Sequence, residues 1–332
     1  MLARRIRFVA DSTLVMTLVV ILWGAFVRAS GSGAGCGAHW PMCNGEVVPR
    51  APSIQTLVEL THRLTSGLAL VLVVVLLIAT RLAFRAGHLA RKAAGWSLFF
   101  MITEALIGAG LVLYEKVAHD QSIDRGAWMA AHLCNTLLLL GALGLTSWAV
   151  RRTDPPRIEV RGRAAILLLT ALGSMMLVGV TGAIAALGDT LFPSATLAEG
   201  IRRDFEGSAH LWLQLRVLHP FVASAAALHL LIVAASFLRR PDESTRRLAA
   251  QVGFGAVTQV ALGVVNLLLA APIPMQIVHL LAADLLWLAL VGLTASALSS
   301  GALSTGAEAA QPAISFQTSA MQATTSTTTT KT

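Results

Sequence analysis

The chain has 332 residues, of which 55% are hydrophobic and only 13% charged, with a formal net charge of +8 and a mean hydropathy of +0.71. Soluble globular domains carry about 25% charged residues, so this composition excludes a soluble fold and describes a chain whose solvent is mostly lipid. The positive charge needs no nucleic-acid partner, because Lys and Arg beside apolar segments act as topology determinants.

Eight apolar segments follow in order, near 9–29, 60–80, 93–114, 127–149, 163–187, 211–238, 247–270 and 275–298. Each approaches the roughly 20 residues that a helix needs to cross a hydrocarbon core. No small-residue cleavage site follows the first, which reads as a span rather than a signal peptide. Arg28 closes it, either as a snorkelling anchor or as a clamp for a ligand carboxylate. The loop beyond carries Cys36 and Cys43 in CGAHWPMC. Their spacing allows a bridge or a metal pair but lacks the CxxC form of zinc sites. A disulfide is preferred, either as a staple or as a redox element.

Span two opens with Glu59, His62 and Arg63. Glu59 and His62 are three apart and share a helix face. A carboxylate at the membrane edge is expensive unless paired; it reads as a base, a proton relay, a ligand contact or a helix cap. Arg63 either answers that charge or binds a ligand carboxylate. Span three holds Glu104, and span four holds His132 with Cys134 on another face. Span six begins with His219 and Pro220 and carries His229 deeper in. Span seven has Gln259, and span eight has His279. The segment after about residue 300 is Ala-, Ser-, Thr- and Gln-rich and reads as a disordered tail.

Basic residues concentrate at the N-terminus and in the second, fourth and sixth connections, for example Arg151, Arg152, Arg157, Arg161 and Arg163 in the fourth. The positive-inside rule then puts both termini in the cytoplasm. His62, His132, His219 and His279 fall near the starts of spans two, four, six and eight, so they lie toward the outer face.

The halves repeat. Gly24-Ala25 echoes Gly182-Ala183, His62 echoes His219, Thr103-Glu104 with Gly108 echoes Thr258-Gln259 with Gly263, and His132 echoes His279. Such self-similarity marks a duplication. The expected fold is an all-α integral membrane protein of eight transmembrane helices in two pseudo-symmetric four-helix bundles. Residues 1–150 form the first, 151–299 the second, and 300–332 the tail. Two inward-facing histidines per bundle are a usual way to hold haem iron. His229 is the rival of His219, and the repeat favours His219. The second half has no carboxylate three residues before its histidine and no cysteines, which marks the first half as the reactive one.

GAFVRASGSGAGCGAHWPMCNGE at 24–46 and ELTHRLTSG at 59–67 resemble the haem A synthases, as do TEALIGAG, TQVALGVV, GDTLFP at 188–193 and LHP at 218–220. The resemblance covers residues 9 to about 298. It implies an oxidoreductase that converts haem O to haem A by oxidising a ring methyl to a formyl group. His62 and His132 would hold the haem O substrate, Glu59 would be the catalytic carboxylate, and His219 and His279 would hold a haem b cofactor. Cys36 and Cys43 would form a disulfide, and Arg28 and Arg63 are the candidate propionate contacts. Pro220 departs from the pattern, since Arg63 has no counterpart after His219. A haem O synthase is the expected donor and lipid the surrounding partner; the electron acceptor and self-association are left open. The rivals are a di-haem cytochrome b serving quinol and a membrane transporter. The absence of a Ser- and Arg-rich transit segment points to a bacterial plasma membrane.

Overall fold

The computed structural model describes residues 2–152, 157–206 and 210–299, so the expected tail lies outside the described residues. These residues form ten α-helices: α1 Leu2–Ala29, α2 Ile54–Ala83, α3 Leu89–Leu113, α4 Ile123–Ala149, α5 Gly162–Leu191, α6 Leu197–Asp204, α7 Leu211–Arg216, α8 Leu218–Phe237, α9 Glu243–Leu268 and α10 Ile273–Ala297. Eight stretches among them are long and apolar enough to cross a membrane, with α7 and α8 making one span. The chain is a multi-pass membrane protein. Leu64, Val71, Ile78 and Leu82 on α2 are exposed, as a lipid-facing stripe requires.

Local chemistry sets the helix starts. Ser53 accepts from the Thr56 N–H at α2, and Asp242 accepts from the Thr245 N–H at α9. His88 Nδ1 accepts from the Ala90 N–H at α3. Each satisfies one of the orphan donors of a first turn. Pro272 caps α10, whose first turn needs no backbone donor there.

Spans one to four close on themselves, with α1 against α2 and α4, and α3 between α2 and α4; α5, α8, α9 and α10 close in the same way. Each set has its own buried cluster. Ile6, Val73, Leu76, Met101, Leu139 and Leu143 belong to one, and Leu137, Leu140, Leu168, Leu230, Val252 and Trp287 to the other. Helix α4 serves both because Leu139 and Leu143 project from one face and Leu137 and Leu140 from another. Trp287 of α10 donates its indole N–H to the Leu137 carbonyl over 2.8 Å, tying the two sets together.

The sixth span departs from the expected continuous helix. It breaks at Val217, between α7 and α8. Pro220 cannot donate to the carbonyl of Arg216, and its ring crowds that position, so the helix restarts immediately before His219. The short α6 in the preceding connection was not expected. It is amphipathic and capped by Thr196, which accepts from the Glu199 N–H. Arg216 joins it to α5 and α7, reaching Asp204 at 2.6 Å and Asp189 at 3.1 Å.

Candidate functional site

His62, His132, His219 and His279 each lie about two turns inside the start of their spans. Alternate spans start at the same end of the molecule, so all four rings gather there. Each ring meets a glycine of the preceding span. An added Cβ would come within 2.9 Å of His62 Cε1 at Gly24 and within 3.1 Å of His219 Cε1 at Gly182. At Gly263 it would lie 3.3 Å from His279 Cε1, and at Gly108 3.8 Å from His132 Cε1. Bare backbone thus makes room for each imidazole. His62 and His132 are close enough for their charges to interact, and so are His219 and His279.

The ring nitrogens are only partly answered. Nδ1 of His62, His132 and His279 is buried without a hydrogen-bond partner. His219 Nδ1 lies 3.1 Å from the Thr181 hydroxyl. A buried, unpartnered imidazole nitrogen in hydrocarbon is costly, and two facing pairs of them beside glycine-lined space fit a planar iron ligand held from both sides. His229 instead approaches the Thr170 hydroxyl at 3.5 Å.

Glu59 is 3% exposed and fully engaged. Its Oε1 accepts from Arg63, at 3.1 Å from Nε and also from Nη2, and its Oε2 accepts from the Cys36 backbone N–H at 2.8 Å. The cap of α2 is Ser53, so Glu59 is not the capping residue. Arg63 Nη1 donates to the carbonyls of His39 at 2.6 Å and Met42 at 2.7 Å. Those carbonyls lie inside the loop closed by a disulfide between Cys36 and Cys43, whose Cα atoms are 4.3 Å apart. Thr56 pins the neighbouring Gly35 carbonyl at 2.7 Å. A Cβ on Gly35 would sit 2.4 Å from the Gln55 carbonyl oxygen, so the loop is pressed onto the start of α2. Glu59, Arg63 and the disulfide loop are therefore one assembly beside His62.

Arg28 does not join it. Its guanidinium crosses to the second set of helices, donating to the Ala186 carbonyl at 2.7 Å, Thr190 Oγ1 at 2.6 Å and Gln276 Oε1 at 2.9 Å. Ala186 is one turn beyond Gly182, and Gln276 is one turn before His279. The first set's arginine thus borders the second pair of histidines.

Sequence reasoning left the role of Glu104 open. The structure places its Oε1 3.4 Å from His132 Nδ1. Oε1 also accepts from the Thr136 hydroxyl, and Oε2 accepts from Asn135 Nδ2 at 2.5 Å. In the second half Gln259 Nε2 lies 3.3 Å from His279 Nε2 and donates to the His279 carbonyl at 3.1 Å. The available sequence signal was the repeated four-residue step from Glu104 to Gly108 and from Gln259 to Gly263.

Among curated proteins, the chain is 45% identical over 291 residues to a Thermus thermophilus protein named "Protoheme IX farnesyltransferase", covering 87% of this chain and 48% of that protein. It is 41% identical over 123 residues to the "Heme A synthase" of Bacillus mycoides (strain KBAB4), covering 37% of this chain and 40% of that one. The Bacillus cereus (strain AH187) "Heme A synthase" is 42% identical over 123 residues, again 37% of this chain and 40% of that protein. The chain spans about half the length, or less, of these relatives. Residues 8–291 match the model of the COX15-CtaA family, described as cytochrome oxidase assembly protein. With most of its length matched and its eight spans and paired histidines in place, the chain belongs to the COX15-CtaA family of cytochrome oxidase assembly proteins.

Proposed function

We propose that this chain is a haem A synthase, an oxidoreductase that turns one ring methyl of haem O into a formyl group. Family membership and the Bacillus relatives support the reading. The observation that carries it is the assembly at His62: two imidazoles within electrostatic range, next to a buried carboxylate held by the disulfide loop. In this reading His62 and His132 hold the substrate and Glu59 is the catalytic carboxylate. His219 and His279 hold a haem b, which when bound supplies one-electron redox chemistry that side chains lack.

Oxidising a methyl to a formyl group releases protons as well as electrons and adds oxygen from water. Glu59 is the group placed to take those protons. Both its oxygens already accept hydrogen bonds, so proton acceptance at Oε2 requires the Cys36 N–H contact to open, while Arg63 keeps the carboxylate oriented through Oε1. Arg63 and Arg28 are occupied by protein acceptors, and a role at substrate propionates needs those bonds to be shared or exchanged. The charge pattern supports placing the site on the outer side of a bacterial plasma membrane.

The name of the Thermus relative invites a second reading as a prenyl transferase. Prenyl transfer from a diphosphate uses carboxylates that hold Mg²⁺, and among the described residues no group of three or more His, Cys, Asp or Glu is placed to hold a metal ion. We assign that name to the part of the relative that this chain does not span. On this view the prenyl transferase is the haem O donor, and the two activities act in succession.

The test is co-expression with a haem O synthase, followed by extraction of non-covalent haem and identification by mass. Haem A is expected. Haem b alone, reduced reversibly by quinol, would replace the proposal with a cytochrome b, and no haem at all would favour a transporter. The Glu59→Gln variant should retain haem O and form no haem A; normal haem A output from it would remove Glu59 from the catalytic role.

A further inference from the structure

Glu104 and Gln259 occupy matching places but carry different chemistry. Each is four residues before the glycine that faces the same histidine, so one helix face presents a polar side chain and a glycine to one ring. In the first half that side chain is a carboxylate. It comes with its own donors: Asn135 Nδ2 at 2.5 Å and the Thr136 hydroxyl, with Asn135 fixed in turn by Thr103 Oγ1 at 2.6 Å and donating to the Phe100 carbonyl at 2.9 Å. Asn135 and Thr136 are both buried. In the second half the carboxylate becomes an amide. The positions three and four residues after His279, which correspond to Asn135 and Thr136, are Ala282 and Ala283. A carboxylate inside hydrocarbon needs donors, and the donors are present only where the carboxylate is. The exchange is therefore a concerted change of three residues.

We infer that Glu104 is a positioning residue for His132, and that the carboxylate-to-amide exchange holds the two haem sites at different redox potentials, the first lower. The inference rests on the proposal that His132 and His279 are haem ligands. A carboxylate facing the outer nitrogen of a ligating imidazole fixes the ring and increases its basicity. It also favours ferric over ferrous iron, because the oxidised centre carries the additional positive charge. An amide fixes the ring without that charge. The site that holds the substrate is thereby the easier one to oxidise, and the second site is the better electron acceptor.

The experiment uses the detergent-solubilised full chain titrated with haem b, with each site isolated by replacing the other histidine pair with alanine. Spectroelectrochemical titration then reads each potential. Glu104→Gln should raise the first-site potential toward that of the second and leave the second site where it was. Glu104→Ala should lose haem from the first site roughly 10–100-fold more readily. The reciprocal graft, Gln259→Glu with Ala282→Asn and Ala283→Thr, should lower the second-site potential. A first site that binds haem b in Glu104→Gln at an unchanged potential would overturn the inference, because a purely structural role predicts that result. A native chain that takes up no haem b would instead overturn the ligand assignment itself, and the two failures are distinct.

Discussion

Adding one methyl group at each of the four glycines should give a graded response. At Gly24 the new Cβ would stand 2.9 Å from His62 Cε1, closer than carbon atoms tolerate, so the ring must move. Overpacking of this kind costs about 1–3 kcal/mol, while alanine regains up to about 1 kcal/mol of helix propensity over glycine. The helix itself is then little destabilised, and the cost falls on the histidine. A displacement worth about 2 kcal/mol at the ring weakens haem retention roughly thirty-fold. Gly182→Ala, at 3.1 Å from His219, and Gly263→Ala, at 3.3 Å from His279, should have smaller effects in that order. Gly108→Ala, at 3.8 Å from His132, meets only ordinary contact; it should keep its haem and melt no lower than the native protein. The assay is haem content per chain after purification, by absorbance, with thermal unfolding of the same samples. Equal losses at Gly108 and Gly24, or full retention at Gly24, would refute the idea that these glycines clear space for the rings.

Two further outcomes follow from the loop and from a cap. Reducing the Cys36–Cys43 disulfide, or replacing both cysteines with serine, removes a loop closure with a sequence separation of 7, worth about 2–3 kcal/mol by chain entropy. The melting temperature should fall, and haem A output should fall with it because the loop holds Glu59 and Arg63; unchanged output from the reduced protein would separate the loop from the chemistry. Asp242 lies outside the spans. Burial works against its charge, but hydrogen bonds from Thr245 and the Ser244 N–H, with Arg152 nearby, hold its carboxyl below its ordinary value of 3.8. A depressed carboxyl stabilises the fold above its unfolded value and loses that contribution as pH falls through the folded one. Melting curves between neutral pH and about pH 3 should therefore show an acid-side loss that Asp242→Asn removes, and Asp242→Ala should cost about 1 kcal/mol at neutral pH. Identical acid profiles for the native and Asn proteins would exclude this cap as the cause.

The segment pattern was readable because lipid thickness dictates apolar run length, and eight spans were expected and eight are found among the described residues. The break at Val217 was written in Pro220 but not recognised, since the hydropathy of the sixth span runs through it. The pairing of Glu59 with Arg63 follows from four-residue spacing on a helix. Their attachment to Cys36, His39 and Met42 does not, because main-chain acceptors in a loop leave no mark in side-chain identity. Glu104 was visible as an expensive intramembrane carboxylate, yet its neighbour His132 lies on another helix and no local spacing links them.

By itself, the sequence determined the lipid-spanning class, the number of spans, the repeat and the four histidines at matching depth, because each depends on periodicity, composition or local spacing along one chain. Only the tertiary structure decided which glycine faces which ring, that Arg28 borders the second histidine pair rather than the first, and that Glu104 meets His132 while Gln259 meets His279. These are contacts between helices far apart in sequence, fixed by how apolar faces such as the two sides of α4 pack, and no spacing rule within a single helix encodes them.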